Sequence, residues 1–368
     1  MVRINEDTAL LDRAVFYNIR IKSIEDFEKL ISKEILETGQ HKKVHYITES
    51  GQEFASLHIK GDGLIDKMSA GAKVIGNTRV DYCNLDTSIK NSQVGNLACY
   101  TVEQYTEQLE RIQEQLSTVY GIETDFSHIA LKEIEINKTF RLDGAFEDYA
   151  RVLTLIMSNL PAAFKGQMDY INREQGIRKK NTYYASSAHS RKSTKYMLFK
   201  IYNKGKSVEN TIVLDDTYMR VEIRLIGSEK VKNALGTNRF RELTDEIINQ
   251  YFDAQMEKLI FKPYRQWKKK RDAYLLKLLK EQMQQNPRHW IVDTLRILQN
   301  EEIEKQCPVL LDVNEIMELI DRLTEDRKQR YKIKSSFRKQ AQKYETVFCN
   351  NDDRKLAELN VKMSPSER

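Results

Sequence analysis

The segment YMLFKIYNKGKSVENTIVLDDTYMRVEIRLIG, residues 196–227, contains two runs in which apolar and polar side chains alternate. A period of two residues is typical of a β-strand that covers a core with one face. The first predicted strand therefore runs from Tyr196 to Asn203 and the second from Tyr218 to Ile226. Because the connection between them is short, we expect both strands to belong to an antiparallel sheet.

A third strand is predicted upstream, at about Ile129–Phe140, with the same alternation. The apolar side chains of all three strands are expected to face one core, which leaves the opposite face polar. That polar face would carry Glu133, Glu135, Asn137, Lys200, Tyr202, Lys204, Arg220, Glu222 and Arg224. Two interpretations remain open at this point. The face is either a half-exposed surface with cross-strand ion pairs, or a reactive site.

Helical patterns flank these strands. Residues 101–120 predict an amphipathic helix in which Thr101 and Gln104 form a capping box. A second helix is predicted at 145–160, with Asp143 as its cap. After Gly236, helical periodicity dominates to about residue 346.

This element order predicts an α+β protein with an antiparallel-sheet, nuclease-like core and a C-terminal helical domain. The predicted first domain covers 1–235, with a β-rich part at 1–100 and a site-bearing part at 101–235. The second covers 236–368, and its last residues, Met363–Arg368, are expected to be disordered.

Composition excludes several classes of protein. The four cysteines lie too far apart in sequence to form a CxxC pair, so neither a zinc site nor a disulfide framework is indicated. No GxGxxG or GxxxxGK[ST] motif is present, which argues against a nucleotide-binding loop. The N-terminal residues lack the layout of a secretory signal, and no apolar stretch is long enough for a membrane span. We therefore expect a cytoplasmic protein with no membrane partner.

The net charge of +6 is unevenly distributed. Residues 178–206 contain nine Lys or Arg and no acidic residue, and further basic runs cover 262–280 and 327–343. Basic clusters attract nucleic acids by displacing condensed counterions, although solvated helix faces explain many such runs, including the latter two. The predicted DNA-binding residues are Arg178, Lys179, Lys180, Arg191, Lys192, Lys195, Lys200, Arg220 and Arg224.

The polar face has the inventory for metal-assisted phosphoryl transfer. Carboxylates bind hard divalent cations, and such a cation polarises a phosphate and neutralises developing charge. A tyrosine hydroxyl can serve as a nucleophile that forms a covalent intermediate, and a neighbouring cation stabilises its phenolate. On these grounds Tyr202 and Lys204 are the candidate reactive pair.

Three segments resemble the gene II/X family of phage and plasmid replication proteins, which includes the replication endonuclease of filamentous phages. They are EIEINKTF (Glu133–Phe140), LFKIYNKGKSVE (Leu198–Glu209) and YMRVEIRL (Tyr218–Leu225). Their order and spacing agree with the family, and the resemblance extends over residues 125–230. Glu135 stands where the family usually has Asp.

The resemblance implies that Tyr202 nicks one DNA strand, assisted by Lys204 and by Mg²⁺ or Mn²⁺ held by Glu135 and Glu222. Glu133 is an alternative to Glu135, and His58 is a candidate third ligand. It also implies a rolling-circle initiator of a bacterial host cell that retains a 5′-phosphotyrosine link and later religates the strand. The expected partners are origin DNA, as duplex and single strand, a host helicase and polymerase, and a second copy in a homodimer.

Alternatives to this hypothesis remain. A conjugative relaxase or single-strand transposase would use the same chemistry, and a non-catalytic replication regulator would bind DNA without cutting it. A second nucleophile could come from the adjacent Tyr183 and Tyr184, of which only one can face DNA because neighbouring strand positions point in opposite directions.

Overall fold

The computed structural model describes residues 8–23, 25, 41–47, 53–59, 67–75, 78–88, 99–119, 121–164, 182–188, 193–207, 216–305, 313–344 and 352–363. Side chains are not described in the strands at 41–47 and 53–59, nor at some positions of 67–75 and 78–88. Ten strands form one sheet in the order β2-β3-β4-β5-β1-β7-β10-β9-β8, and a short β6 pairs with β1. The strands are β1 (Leu10–Ile21), β2 (His41–Ile47), β3 (Glu53–Ile59), β4 (Lys67–Ile75), β5 (Thr78–Ser88), β6 (Thr124–Asp125), β7 (Ala130–Arg141), β8 (Thr182–Ser186), β9 (Tyr196–Asn203) and β10 (Tyr218–Ile226).

Every strand pair with a defined register in this sheet is antiparallel. Several helices accompany the sheet, so the predicted α+β class with an antiparallel sheet is confirmed. The three strands predicted from alternation are β7, β9 and β10, and the limits predicted for β9 and β10 agree with the structure.

The predicted faces of β10 are also confirmed. Val221, Ile223 and Leu225 are fully buried on the core side. On the opposite face, Glu222 lies across from Asn137 of β7 and from Lys200 of β9. The strand register thus brings the polar residues of three chain segments side by side.

The strand β1 was not singled out by the sequence, yet it lies between β5 and β7 at the centre of the sheet. Its register against β7 shifts between Leu11 and Ala14, where one extra residue enters β1. This β-bulge returns Ala14 to the core face, opposite Ile134. The alternation of apolar and polar residues in β1 is interrupted at this bulge, so a period of two residues does not predict the strand.

The α-helices are α1 (Val102–Thr118), α2 (Ala150–Ser158), α3 (Lys204–Ser207), α4 (Ser228–Leu235), α5 (Asp245–Met256), α6 (Lys262–Gln285), α7 (Trp290–Lys305), α8 (Val313–Asp321), α9 (Arg327–Ala341) and α10 (Asp352–Met363). None of these helices has both the length and the apolar character that a bilayer span requires. The capping box of α1, formed by Thr101 and Gln104, is confirmed.

The cap predicted for the helix at 145–160 is wrong. A 3₁₀ turn at Phe146–Tyr149 precedes α2, and Ala145 stands at its N-cap position without a side-chain hydrogen bond. The carboxylate of Asp143 instead forms an ion pair with Lys362 of α10 at 3.4 Å. The backbone N–H of Asp143 donates a hydrogen bond of 2.8 Å to the carboxylate of Glu358. The carboxylate of Asp143 therefore pairs with a residue that is distant in sequence and does not cap the helix.

The chain divides into two compact units. The first comprises 1–141, 166–171 and 184–252, and the second comprises 142–165, 172–183 and 253–368. This division falls after Phe252, inside α5 and later than the boundary expected at 235, because the first unit includes α4 and the first part of α5 with the buried Val231, Leu235, Ile248 and Phe252. In that unit the ring of Phe240 packs against Phe16 at 5.3 Å and Tyr105 at 5.6 Å between ring centroids.

The second unit has a separate apolar core made by the C-terminal helices. It contains Leu275, Leu278, Leu279, Trp290, Ile291, Leu295, Leu298, Ile316, Met317, Leu319, Ile320, Phe337 and Ala341. The helical character predicted for the C-terminal region is therefore confirmed for the described residues. The expected disordered tail falls outside them, apart from Met363 at the end of α10.

We expect Gly227→Ala to lower the free energy of unfolding by about 3 kcal/mol, because Gly227 has φ +95° and a Cβ there would lie 2.7 Å from the carbonyl oxygen of Thr194. The control is Gly236→Ala, where φ is +80° but no atom lies within 4 Å, and a loss of about 1 kcal/mol is expected from backbone strain alone. Urea denaturation measures both. Equal losses would contradict the close approach at Gly227.

Candidate functional site

Three carboxylates from adjacent strands meet on the polar face of the sheet. Asp12 comes from β1, Glu135 from β7 and Glu222 from β10, and their nearest carboxylate oxygens all lie within 4.8 Å of one another. Asp12 enters this group because the β1 bulge places it beside Glu135. The three carboxylates could hold a metal ion, since they offer only hard oxygen ligands.

The hydroxyl of Tyr202 belongs to the same cluster. It donates a hydrogen bond of 3.2 Å to Oε2 of Glu222, while Oε1 of Glu222 forms an ion pair with Lys200. The register explains this arrangement, because Lys200 lies directly opposite Glu222 and Tyr202 lies opposite Arg220 on the neighbouring strand. The Tyr202 oxygen therefore lies on the polar face and not in the apolar interior.

Arg220 is fully buried beneath this cluster. Its Nη1 pairs with Oδ2 of Asp12 at 2.9 Å, and its Nε donates to the hydroxyl of Thr139 at 2.7 Å. A guanidinium with no exposed surface cannot reach a DNA phosphate, so the DNA contact predicted for Arg220 is corrected to a structural role. Its charge compensates that of Asp12 inside the sheet.

Arg224 also has internal partners. It pairs with Glu133 at 2.6 Å and with Glu135 at 3.2 Å. Glu133 is outside the group of three carboxylates, whose third member is Asp12. The alternative metal role predicted for Glu133 is therefore not supported by its position. Lys195, another predicted DNA contact, is exposed and pairs with Glu229.

Burial shifts the ionisation of the acidic groups. Burial and, next in size, the neighbouring Glu222 charge together raise the pKa of Glu135 to about 7, against the opposing charges of Lys200 and Arg224. Burial also raises the pKa of Asp12, although the Arg220 charge opposes this shift. A bound cation would offset both effects by stabilising the ionised carboxylates.

Among the other groups, burial and the Glu222 charge raise the pKa of the Tyr202 hydroxyl well above its usual value, while Arg220 acts in the opposite direction. Tyr202 is thus a protonated hydrogen-bond donor near neutral pH. Burial would lower the pKa of Lys200, but its ion pair with Glu222 outweighs this effect and the pKa is raised.

Lys204 lies at the start of α3, directly after β9, and is buried. Its Nζ is 5.7 Å from the centroid of the Tyr202 ring. Burial and the charge of Arg220 lower the pKa of Lys204 to about 8. The structure therefore brings the predicted pair Tyr202 and Lys204 together, with the amine still mostly protonated at neutral pH.

One thiol also borders the cluster. The Sγ of Cys99 donates to Oδ1 of Asn137 at 3.3 Å, and Asn137 lies opposite Glu222 in the sheet. Burial raises the pKa of Cys99. This thiol is therefore a neutral neighbour that fills space beside the carboxylates.

Other predicted site residues are not part of the cluster. His58 belongs to β3, which β4 and β5 separate from β1, so the strand order places its backbone on the order of 14 Å from β1 at about 4.8 Å per strand. The third member of the group that could hold a metal ion is Asp12 and not His58. Arg178, Lys179, Lys180, Arg191 and Lys192 lie outside the described residues.

The two adjacent tyrosines have different environments. Tyr183 is buried, and its hydroxyl lies 3.3 Å from the carbonyl oxygen of Ala150. Tyr184 is half-buried on the opposite side of β8. Of this pair, only Tyr184 remains a candidate for a reactive hydroxyl.

Sequence reasoning missed Asp12 and the environment of Cys99. The only local signal for Asp12 was an acidic residue inside the otherwise apolar and aromatic segment LLDRAVFYNIRI. The contact between Cys99 and Asn137 joins residues far apart in sequence, and no spacing rule predicts it.

Comparisons with known proteins add little. No family model and no curated protein matches the chain. Two solved structures are similar at a low level, the di-domain ARO/CYC BexL from the BE-7585A biosynthetic pathway and DynU16 from the dynemicin biosynthetic locus. Their sequence identities are 9% and 12% and their TM-scores 0.18 and 0.17, and each alignment covers 66% of this chain and 92% of the other. Such TM-scores carry no argument about fold or function.

We expect Arg220→Gln to lower the free energy of unfolding by about 3 kcal/mol, because it leaves Asp12 inside the sheet without its countercharge. The matched control is Arg224→Gln, whose ion pairs are about 20% exposed and whose loss should cost about 1 kcal/mol. Urea denaturation at neutral pH gives both values. A smaller loss for Arg220→Gln than for Arg224→Gln would contradict the structural role of Arg220.

Proposed function

We propose that the protein is a DNA-nicking enzyme that attacks one strand with Tyr202 and starts rolling-circle replication. One observation carries the proposal: the Tyr202 hydroxyl donates a hydrogen bond to Glu222, which is itself one of the three acids that could hold a metal ion. A nucleophile, a proton acceptor and a candidate cation site thus occupy one surface, which is the combination that phosphodiester cleavage requires.

The charge of the cluster favours a phosphate substrate only when a cation is bound. Three carboxylates alone would repel a phosphodiester, and Lys200 and Arg220 are engaged with Glu222 and Asp12. The donor set of three carboxylate oxygens on rigid strands suits a hard divalent cation such as Mg²⁺ or Mn²⁺. When bound, this cation would polarise the phosphate and neutralise charge that develops on its oxygens.

The protein groups supply positioning and proton transfer. In the proposed step the Tyr202 oxygen forms a bond to phosphorus, its proton passes to Glu222, and the bond from phosphorus to the 3′ oxygen breaks. The 5′ phosphate remains on the tyrosine, and the released 3′ oxygen takes a proton and is extended by a polymerase. Lys204, which is mostly protonated near neutral pH, stabilises the phosphate or the forming phenolate charge.

The biological setting of this proposal comes from the resemblance to phage and plasmid replication proteins of the gene II/X family. A nuclease-like core, a bacterial host, an origin sequence, and helper helicase and polymerase belong to that part of the proposal. The relaxase and transposase alternatives predict the same adduct on a different substrate. The regulator alternative predicts DNA binding without any adduct.

The nucleophile is tested by Tyr202→Phe, which should reduce covalent protein–DNA adduct by more than about 10³-fold, because the phenyl ring has no attacking oxygen. The measurement uses labelled single-stranded origin DNA with Mg²⁺ and a denaturing gel. Tyr184→Phe is the matched control and should retain the adduct, since β9 separates the strand of Tyr184, β8, from the strand of Glu222, β10.

If the adduct is lost in Tyr184→Phe and kept in Tyr202→Phe, the nucleophile is Tyr184 of β8 and the assignment of Tyr202 is wrong. An absence of adduct with wild-type protein on every single-stranded and duplex substrate from the replicon would favour the non-catalytic regulator.

The cation site is tested by titrating Mn²⁺ into the protein in isothermal calorimetry, a measurement independent of cleavage. Asp12→Asn and Glu222→Gln should each weaken Mn²⁺ binding by at least about tenfold, because each removes one anionic ligand from the group. Glu133→Gln is the control, as this acid lies outside the group and pairs with Arg224. Equal weakening in all three variants would indicate a general charge effect rather than a site.

A further inference from the structure

The helix α9 presents the most one-sided charge in the described chain. Its residues, 327–341, contain seven Lys or Arg and no Asp or Glu, so its charge exceeds the net charge of +6 of the whole protein. The remaining residues are therefore net acidic, and positive charge is concentrated on this helix. Exposed positive charges without acidic neighbours create a surface potential that attracts an anionic partner.

The cations of α9 fall into two groups. Arg330 and Lys334 face Asp321 and form ion pairs with it at 3.9 and 2.6 Å. Arg327, Lys328, Lys332, Arg338 and Lys339 are exposed, and no ion-pair partner for them exists within the described part of the chain. At 100° per residue, the three lysines lie within about 40° of one another around the helix axis.

The other basic helix, α6, shows what a solvated charged helix looks like in the same unit. There Arg271 and Lys268 pair with Glu315, and Lys277 pairs with Glu281. Lys262, Lys269, Lys270 and Lys280 of α6 are also exposed. The two helices differ in acidic content, because α6 carries Asp272 and Glu281 whereas α9 carries no acidic residue.

The apolar side of α9 is already used. Phe337 and Ala341 are buried in the core of the second unit. The outer face carries cations, two serines and Tyr331, which is 76% exposed. A helix that lies in a membrane surface needs an apolar face for the lipid, and α9 has none to offer. A polyanion that contacts only charge and an aromatic ring fits this surface better.

We infer that the outer face of α9, defined by Lys328, Tyr331, Lys332, Arg338 and Lys339, binds the phosphates of duplex DNA. Lys328 and Lys339 are about 17 Å apart along the axis, which lets them reach phosphates on both sides of a major groove that is about 12 Å wide. The helix start is fixed by Asp326, which accepts hydrogen bonds from the backbone N–H groups of Lys328 and Gln329. The choice of DNA as the polyanion rests on the proposed function, whereas the surface itself does not.

The test compares two full-length triple variants in the Tyr202→Phe background, with a labelled duplex of random sequence and a series of salt concentrations. Lys328→Gln, Lys332→Gln and Lys339→Gln together should raise Kd by at least about tenfold near 0.1 M salt and reduce the slope of log K against log salt by about 2 to 3. Arg239→Gln, Arg265→Gln and Lys277→Gln form the control, because these exposed cations already have carboxylate partners. The control should stay within about twofold of the parent.

An unchanged Kd and slope in the α9 variant would overturn the inference, as would an equal loss in the control triple. Tighter binding to phosphatidylserine vesicles than to the duplex would identify a membrane as the partner and also overturn it. Circular dichroism must show that both variants keep their helices, and Gln is chosen because it favours helix as Lys does. If the wild-type protein forms the adduct but the α9 variant binds duplex DNA as tightly as its parent, only this inference is contradicted. If the α9 variant binds more weakly but the wild-type protein forms no adduct, only the proposed nicking is contradicted.

Discussion

The ion pair between Arg220 and Asp12 is the constraint on which the polar face of the sheet depends. Asp12 can stand beside Glu135 and Glu222 only because a fully buried guanidinium compensates its charge from below. Three neighbouring carboxylates without that countercharge would repel one another, and burial would drive at least one of them to protonate. The residues Lys200 and Arg224 complete the compensation from the two flanking directions.

Alternation in the sequence predicted the strands and their faces because it reports directly on the pleat of a strand. It could not predict how deeply each side chain on a face is buried. Arg220 and Arg224 share a face and are four residues apart, yet one is fully buried under Asp12 and the other is partly exposed beside Glu133. The difference arises from the β1 strand, whose place in the sheet no local pattern indicates.

The bulge in β1 shows the same limit in another form. One inserted residue brings Asp12 to the polar face and keeps Ala14 in the core, so the third acid of the group is supplied by a break in the pattern. The sequence instead indicates His58 as a ligand, because a lone aspartate in an apolar strand has no ligand spacing that would mark it. The capping box of α1 and the limits of β9 and β10 depend on neighbours in sequence, whereas this group depends on strand order.

The ionisation of Tyr202 bears on how a nicking enzyme of the proposed kind would avoid reacting at the wrong moment. Burial and the nearby Glu222 charge keep the hydroxyl protonated, so the nucleophile is not a standing phenolate. Its proton already points at the carboxylate that would accept it, and the protonated Lys204 lies near the same ring. In the proposed reaction, the proton would pass to Glu222 only as the oxygen attacks a phosphate held in line with it. Because no phenolate stands ready beforehand, bond formation would be coupled to substrate binding.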